Sequence, residues 1–284
     1  MSSDTNGRAL EYCLTKELIS VFSICSLDEN TLRDQNRDSV KFNSLDQEMQ
    51  IYYISQCKKL AHWIKENKIN GSSNIKIFRL NDNAAKKGDV TDIRIANEHS
   101  SYNISLKHNH DAVKHQRPGG LYQQLGVDDK ERKATYKMNI KDIERSFKEN
   151  AIKLNTNLFS EVKDSDISII NKMYSDMCDL VIIELNNLLY EAAHFFRFLI
   201  GNIDFDKIIV TENEIRIMDF SSISSPSSLR AEKLNNSYIK LIFDNGFIFN
   251  MRLHTASKTF NNNKSISLKF DTRLESDSVK VFHI

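Results

Sequence analysis

The spacing of apolar side chains predicts two amphipathic helices near the start of the sequence. Residues 8–24 carry apolar side chains at intervals of three and four, the period of one helix face. These are Leu10, Cys13, Leu14, Leu18 and Val21. Residues 45–67 have a broader apolar face, and Ser44 and Gln47 have the spacing of a capping box at its start. We expect this second helix to end near the Asn-Gly pair at 70–71.

The period then changes to two, which predicts β-strands. Residues 74–80 alternate in this way, and one set of side chains consists of Ile75, Ile77 and Arg79. Residues 92–95 and 104–107 show the same period. The polar loop 97–101 between them has the length of a hairpin connection, so we expect these two strands to be antiparallel neighbours.

The remaining sequence predicts helices followed by strands. Between about 120 and 200 the apolar period is helical again. The run DLVIIEL at 179–185 continues into helical spacing, which favours a helix over a buried strand. From residue 207 onward the pattern is mainly that of strands, with a strong hairpin turn, Asp-Asn-Gly, at 244–246.

These elements predict an α/β (α+β) fold, with a mixed central β-sheet flanked by helices and additional C-terminal β-hairpins. The serine-rich segment 221–229 is the clearest linker. We therefore expect a core at residues 1–220, with helical insertions at about 120–200. A C-terminal β region at 230–284 then packs on this core.

Composition excludes several classes of protein. The 284 residues are 40% hydrophobic and 27% charged, as in globular proteins. Because the net charge is only +1, any binding of nucleic acid must depend on a local concentration of positive charge. The four cysteines form no CxxC pair, which argues against a zinc ribbon and favours a reducing compartment. We find no signal peptide and no apolar stretch that could span a bilayer, so we expect a soluble protein without membrane contact.

The predicted hairpin brings a carboxylate and a lysine together. When the isoleucines of both strands face the core, alternation places Asp92, Ser105 and Lys107 on the opposite face. A carboxylate holds a hard cation such as Mg²⁺, and an ammonium group balances the charge that builds on a phosphate. Asp92 and Lys107 are thus the minimum for metal-assisted hydrolysis of a phosphodiester. The competing interpretation is an exposed ion pair on a hairpin.

A metal site needs more oxygen ligands than Asp92 supplies. Asp89 lies three residues earlier, and the backbone carbonyl of Leu106 directly precedes Lys107. A carboxylate on another element is a further source, and we favour Glu11 on the first helix. The predicted metal ligands are therefore Asp92 and Glu11, with Asp89 as the second choice.

The segment HNHDAVKHQR at 108–117 concentrates basic and imidazole side chains directly after Lys107. We predict that the strand ends here and that a short helix follows. Asn109 or Asp111 then lies near the helix cap, and Asp111 and His115 lie one turn apart. Basic side chains near the hairpin can grip the phosphates of a polyanion. These are Lys114, His115 and Arg117.

Zinc binding is the rival interpretation of these histidines. The candidate ligands are His99, His108, His110 and His115. No HExxH motif or paired cysteine motif accompanies them. The letters HNH are contiguous here and lack the spacing of a ββα-metal nuclease. We therefore favour the basic patch.

Several segments carry a family resemblance. They are NGRALEY, GDVTDIRI, ISLKHNHDAVKHQRPGGLYQQLG, FNMRLHTASKTF and SLKFDTRL. Together they cover both ends of the chain and resemble the HaeIII-type restriction endonucleases. The resemblance implies a PD-(D/E)xK nuclease core that uses Mg²⁺ to cut double-stranded DNA at a short palindrome, which is GGCC for the namesake enzyme. It also implies a homodimer, a cognate DNA methyltransferase as genetic partner, and the cytoplasm of a prokaryote.

The resemblance also assigns roles to the residues of the predicted hairpin. Asp92 matches the metal-binding Asp of the PD-(D/E)xK pattern, and Lys107 matches its catalytic lysine. Ser105 stands where the pattern has Asp or Glu. This departure removes a metal ligand, which increases the importance of Glu11, since an acidic residue on the first helix completes the site in many members of the superfamily.

Recognition of a DNA sequence needs side chains that reach base edges or phosphates. The candidates are Asn109, His110, Lys114, His115, Arg117, Gln123, Gln124, Arg252 and His254. For any one of them, phosphate contact is the favoured role. Two alternative functions stay open from the sequence. One is a structure-selective or repair nuclease with the same core, and the other, suggested by Ser105, is a DNA-binding protein with a degenerate site.

Overall fold

The structure is a computed structural model that describes residues 3–22, 24–69, 74–80 and 88–284. The chain divides into two units. The first comprises Met1–Asp111, Gly201–Ile223 and Val279–Ile284, and the second comprises Ala112–Ile200 and Ser224–Ser278. The helical segment expected at about 120–200 thus shares a unit with most of the strands that follow residue 224.

The strands are numbered in chain order. They are β1 (Cys25–Leu27), β2 (Ile75–Arg79), β3 (Ile93–Ala96), β4 (Ser101–His108), β5 (Lys114–Gln116), β6 (Asp206–Val210), β7 (Ile215–Asp219), β8 (Leu229–Asn235), β9 (Tyr238–Phe243), β10 (Ile248–Thr255), β11 (Leu268–Leu274) and β12 (Lys280–His283). The α-helices are α1 (Ser3–Val21), α2 (Glu29–Asn43), α3 (Gln47–Asn67), α4 (Leu121–Gln124), α5 (Lys130–Ala151), α6 (Phe159–Asn187) and α7 (Ala192–Ile200). Short 3₁₀ helices span Pro118–Gly120 and Ile152–Leu154.

The first unit is built on a mixed sheet of seven strands in the order β1-β2-β3-β4-β6-β7-β12. The pairs β1–β2 and β4–β6 are parallel, and the others are antiparallel. One face of the sheet forms a core with α1, α2 and α3, in which Ile93, Ile95 and Ile104 are fully buried. The predicted mixed sheet flanked by helices and the predicted antiparallel hairpin of β3 and β4 are confirmed.

The second unit contains an antiparallel sheet of five strands in the order β5-β11-β10-β9-β8. The side-chain amide of Asn186 in α6 exchanges hydrogen bonds of 2.9 Å with the backbone N and O of Ala231 in β8. Phe196 of α7 packs edge-on against an aromatic group on the same sheet and its β9–β10 turn, consisting of Phe243, Phe247 and Phe249. Residues 179–185 lie within α6, so the helical interpretation of that run is confirmed.

The segment after Lys107 does not form the predicted helix. Residues 109–113 are a loop, and Lys114–Gln116 form β5, which pairs with β11. Asp111 and His115 are therefore not one helical turn apart. The prediction was wrong because β11, which lies far along the chain, supplies the hydrogen-bond partners that make this short segment a strand.

The start of α3 also differs from the prediction. The N-cap is Asp46, whose side chain accepts a hydrogen bond of 2.8 Å from the backbone N of Met49. Ser44 is instead the C-cap of α2. The predicted end of the helix at 70–71 lies outside the described residues. The helix α2 and the strands β1, β8 and β12 were not predicted.

Gly201 lies where the backbone approaches the segment that leads to Asp92. Its φ is +95°, and a Cβ there would lie 3.1 Å from the carbonyl oxygen of Gly88 and 3.0 Å from Cγ2 of Val90. We expect Gly201→Ala to lower the free energy of unfolding by about 1–3 kcal/mol, because both the dihedral angle and the space disfavour a side chain. Urea denaturation measures this change. In Gly119→Ala the new Cβ meets no atom within 4 Å, so an equal loss in both variants would contradict the explanation.

Candidate active site

The hairpin of β3 and β4 positions the predicted catalytic residues. Asp92 directly precedes β3, and its backbone N donates a hydrogen bond of 2.7 Å to the carbonyl oxygen of Ile104. The register pairs Ile93 with Ile104. Asp92 therefore lies across from Ser105, and Lys107 follows two residues later on the same face of the sheet.

The carboxylate of Asp92 is held through one oxygen. Lys107 Nζ lies 2.9 Å from Oδ2, the backbone N of Leu106 donates to Oδ2 at 2.7 Å, and Ser105 Oγ lies 3.4 Å from it. None of the residues in the described ranges donates a hydrogen bond to Oδ1. The side chains of Asp92 and Lys107 are 23% and 35% exposed, so a ligand can reach both of them.

Glu11 of α1 is a second carboxylate close to this pair. The residue is buried, and its Oε2 forms an ion pair with Arg79 and lies 3.3 Å from Nη1 of Arg8. Burial raises the pKa of Glu11, and the charge of Asp92 raises it further, against the opposing charges of Arg79 and Arg8. The contribution of Asp92 to this shift is that of a like charge, which disfavours a second carboxylate nearby.

Arg79 links Glu11 to a buried polar group that the sequence did not reveal. Its Nη2 lies 2.9 Å from Oδ2 of Asp38, and its Nη1 donates to Oε1 of Gln35 at 3.1 Å. Arg37 in turn donates two hydrogen bonds of 2.7 Å to the carboxylate of Asp38. The one available signal was that Arg79 occupies the buried set of positions in the alternation of β2.

Asp89, the second-choice metal ligand, has both oxygens engaged in other contacts. The backbone N of Thr91 donates to Oδ1 at 3.1 Å, and Nη2 of Arg94 lies 2.6 Å from Oδ2. Burial opposes ionisation, but the hydrogen bonds from Thr91 and Arg94 outweigh it and lower the pKa of Asp89. This carboxylate therefore stabilises the turn before Asp92, and Glu11 is the better candidate for a second ligand.

Two further basic residues lie on the polar face of the sheet and were not predicted. Lys207 of β6 is paired in register with Ser105 and is only 2% exposed. Its amine donates to the backbone carbonyl of Asp111, and the guanidinium of Arg216 pairs with the Asp111 carboxylate. These contacts hold the loop 109–113 at its middle residue, which explains why Asp111 does not cap a helix.

The predicted DNA contacts Asn109 and His110 lie in this loop. Asn109 has a left-handed φ of 49°, its backbone N donates to the carbonyl oxygen of Val210 at 3.1 Å, and its side-chain Nδ2 lies 3.2 Å from Nε2 of His108. His110 is half-buried. The structure thus gives Asn109 a role in shaping the loop.

The second unit contains the other predicted DNA contacts. Lys114 lies over the ring of Phe198, 4.7 Å from its centroid, and burial lowers the pKa of Lys114. Arg117 donates to Oγ of Ser267 at 2.8 Å. Gln124 is buried and donates to the carbonyl oxygen of Arg117 at 2.9 Å, whereas Gln123 is exposed.

His115 and His254 share one carboxylate on the outer face of the five-stranded sheet. Nδ1 of His115 lies 2.6 Å from Oδ1 of Asp271, and Nε2 of His254 lies 2.9 Å from Oδ2. Burial lowers the pKa of His115 although Asp271 opposes this effect. Burial also disfavours the Asp271 carboxylate, but its close contacts with His254 and His115 outweigh it and lower the pKa of Asp271. Arg252 lies directly opposite Asp271 in the sheet register.

The carboxylates of the first unit set limits on a metal site. Within the described ranges, no three His, Cys, Asp or Glu side chains cluster closely enough to hold a metal ion. A cation at Asp92 and Glu11 would therefore take its other ligands from backbone carbonyls and water, a ligand set that suits Mg²⁺.

In the part of the chain that the structure describes, no helix is long and apolar enough to cross a membrane.

The chain is similar in sequence to known restriction endonucleases. The family model of the HaeIII restriction endonuclease matches residues 7–225, a range that contains Glu11, Asp92 and Lys107. The type II restriction enzyme HaeIII of Haemophilus aegyptius is 26% identical over 331 aligned residues, which cover 96% of this chain and 94% of that enzyme. No solved structure matches the chain. The chain therefore belongs to the HaeIII restriction endonuclease family.

Proposed function

We propose that this protein is a Mg²⁺-dependent type II restriction endonuclease, which hydrolyses phosphodiester bonds in double-stranded DNA at a short palindromic site. The observation that carries the proposal is the contact of Lys107 Nζ with Asp92 at 2.9 Å, beside the carboxylate of Glu11. A carboxylate pair next to a lysine is the equipment that metal-assisted hydrolysis of a phosphodiester needs. GGCC is the first sequence to test.

Asp92 and Glu11 are the residues that would hold Mg²⁺. Each forms its described contacts through one oxygen, Oδ2 in Asp92 and Oε2 in Glu11. Their remaining oxygens, Oδ1 and Oε1, are available as ligands. The pKa of Glu11 is raised first by burial and then by the charge of Asp92, and a divalent cation would offset both effects. Bound Mg²⁺ would polarise the phosphate and lower the pKa of a water molecule.

The residues around Asp92 have complementary roles in this proposal. The backbone N of Leu106 and the hydroxyl of Ser105 orient the carboxylate of Asp92 through Oδ2. Lys107 carries a positive charge that balances the charge developing on the phosphate. Ser105 cannot act as a metal ligand in the way that Asp or Glu does, so we propose a site with few protein ligands and several water molecules.

Cleavage at a palindromic site also implies partners for this protein. A two-fold symmetric dimer places one active site on each strand of a symmetric target. We therefore propose a homodimer as the active form. A cognate DNA methyltransferase is the proposed genetic partner, because a sequence-specific nuclease endangers the DNA of its own cell.

A digest of unmethylated phage DNA tests the proposed function. We expect discrete fragments in Mg²⁺ and none in EDTA, because the carboxylates alone cannot polarise the phosphate. Sequencing the fragment ends identifies the site. As a matched control, one duplex contains GGCC and a second is identical except that this site is GACC. Cutting of the first duplex alone identifies GGCC as the site.

Two results would overturn the proposal. Intact plasmid together with cleavage of nicked or branched DNA would indicate a structure-selective or repair nuclease. DNA that is retarded on a gel but never cut would indicate a DNA-binding protein with a degenerate site, as the serine at position 105 allows.

A further inference from the structure

The outer face of the five-stranded sheet is rich in basic side chains. Burial alternates along β9, β10 and β11, so that one set of side chains packs inward and the other points outward. The outward set of β8 to β11 contains more cations than carboxylates. Its charged members are Arg230, Glu232, Lys240, Arg252, Lys269, Asp271 and Arg273. We call this surface the basic face.

The carboxylates of the basic face are already paired. Asp271 lies within 2.9 Å of His115 and of His254 and 3.6 Å from Nζ of Lys269. Glu232 lies 2.8 Å from Nη1 of Arg230. Little negative charge is therefore left to neutralise the remaining arginines.

Arg252 and Arg273 are the arginines without such a partner. Neither guanidinium group forms a hydrogen bond or an ion pair with any residue in the described ranges, although Arg252 lies directly opposite Asp271 in the register. Arg273 lies opposite Asn250, so the two arginines are diagonal neighbours on adjacent strands, with their Cβ atoms about 7 Å apart. Two adjacent unpaired guanidinium groups repel each other and bind a polyanion well.

Asn250 adds a polar group to the same place. It lies between Arg273 and Lys240 in the sheet register. Its side-chain oxygen is buried and accepts no hydrogen bond within the part of the chain that the structure describes. Lys240 lies 3.5 Å from Oε2 of Glu275, so Arg273 is the unpaired cation beside this amide. The amide can donate to a phosphate oxygen through its nitrogen.

We propose that the basic face binds the sugar-phosphate backbone of duplex DNA, with Arg252 and Arg273 as the phosphate-binding pair. This inference rests on the proposed function, which makes DNA the polyanion. Strands and sheets bind DNA in several protein families, and guanidinium groups are well matched to phosphate. The histidines His115 and His254 then act indirectly, because they occupy Asp271 and keep it from neutralising Arg252.

Binding of a fluorescent duplex by the full chain, measured by anisotropy in EDTA over a range of salt concentrations, tests the inference. We expect Arg252→Gln and Arg273→Gln each to weaken binding about tenfold, because each removes a charged hydrogen bond. The double variant is expected to lower the slope of log K against log salt by about two, whatever the DNA sequence. Arg252→Lys and Arg273→Lys, which keep the charge, are expected to bind more tightly than the glutamine variants.

Arg145→Gln is the matched control, because Arg145 is an exposed arginine of the same unit that pairs with Asp142. It makes the same change in net charge and is expected to bind like the unmodified protein. Unfolding curves confirm that all variants fold. If the double variant binds as tightly as Arg145→Gln, or if it loses affinity for one sequence only, the phosphate-binding role is overturned.

The outcome is separable from that of the proposed function. If the protein still binds and cuts DNA normally after both arginines are replaced, the proposed role of the basic face is overturned and the proposed nuclease function stands. If the protein binds DNA through Arg252 and Arg273 but cuts no DNA in Mg²⁺, the proposed role of the basic face is supported and the proposed nuclease function is overturned.

Discussion

Lys107→Ala is expected to reduce the rate of DNA cleavage by about a hundred- to a thousandfold, while the affinity for DNA changes little. The ammonium group lies 2.9 Å from Asp92 at the candidate active site. Removing it takes away positive charge where negative charge develops on the phosphate, and losses of this size follow the removal of one such group. Single-turnover cleavage in Mg²⁺ measures the rate, and anisotropy in EDTA measures binding.

Lys58→Ala is the matched control for this experiment, since Lys58 is exposed on α3. It makes the same change of side chain and charge away from the hairpin and is expected to cut normally. Cleavage by Lys107→Ala within a factor of about two of the unmodified protein would contradict the assignment of the active site. A loss of binding equal to the loss of cleavage would show that Lys107 holds the substrate and does not act on the reaction.

Arg79→Leu is expected to lower the free energy of unfolding by about 3–5 kcal/mol, the largest effect on stability that we predict. The side chain of Arg79 is only 1% exposed and pairs with Glu11 and with Asp38, whose side chain is fully buried. Its removal takes away the buried cation that the two carboxylates share and leaves them with the more exposed Arg8 and Arg37 as partners. Breaking a buried pair on one side has this cost. Urea denaturation followed by circular dichroism measures the change.

Arg33→Leu provides the comparison for Arg79. Arg33 is exposed on α2 and donates to Oδ1 of Asn30 at 3.0 Å, so the same change there is expected to cost less than about 1 kcal/mol. Adding Glu11→Gln to Arg79→Leu removes one of the stranded charges and is expected to recover part of the lost stability. A double variant that is less stable than Arg79→Leu alone would contradict this account.

The parts of the fold that could be predicted are those whose pattern is local. The alternation in 92–95 and 104–107 and the short loop between them were sufficient to place Asp92 beside Lys107. Period-two alternation fixes the register in which the two strands pair, because a shift of one residue would expose every isoleucine. The long apolar helices were predictable because their apolar spacing of three and four residues is also a local pattern.

Other elements lacked a local signal. In α2 the inward positions are mostly polar, namely Thr31, Gln35 and Asp38, and only Phe42 is apolar. An apolar period therefore does not exist there, although the helix is buried along that face. These inward residues are polar because they bind Arg79, a residue on a strand that the helix meets only in the folded protein.

The candidate site was predictable only in part for a related reason. Asp92 and Lys107 belong to one hairpin. Glu11 of α1 was predicted as a candidate ligand, but its ion pair with Arg79 of β2 was not. Similarly, Asp271 meets His115 and His254 only because β5 pairs with β11 and β11 with β10. Contacts between residues so far apart depend on strand order, which hydrophobic spacing does not encode.

The order of strands has a consequence for synthesis of the protein on the ribosome. The neighbour of β4 on one side, β6, begins at Asp206 and is made only after residues 112–200 of the second unit. During translation at about 5–20 residues per second, the strand that carries Lys107 is therefore an unpaired edge for several seconds. A nascent chain with such an edge is exposed to aggregation, and Lys107 gains its final surroundings late. Slow translation through residues 112–200 would lengthen this interval and lower the yield of native enzyme.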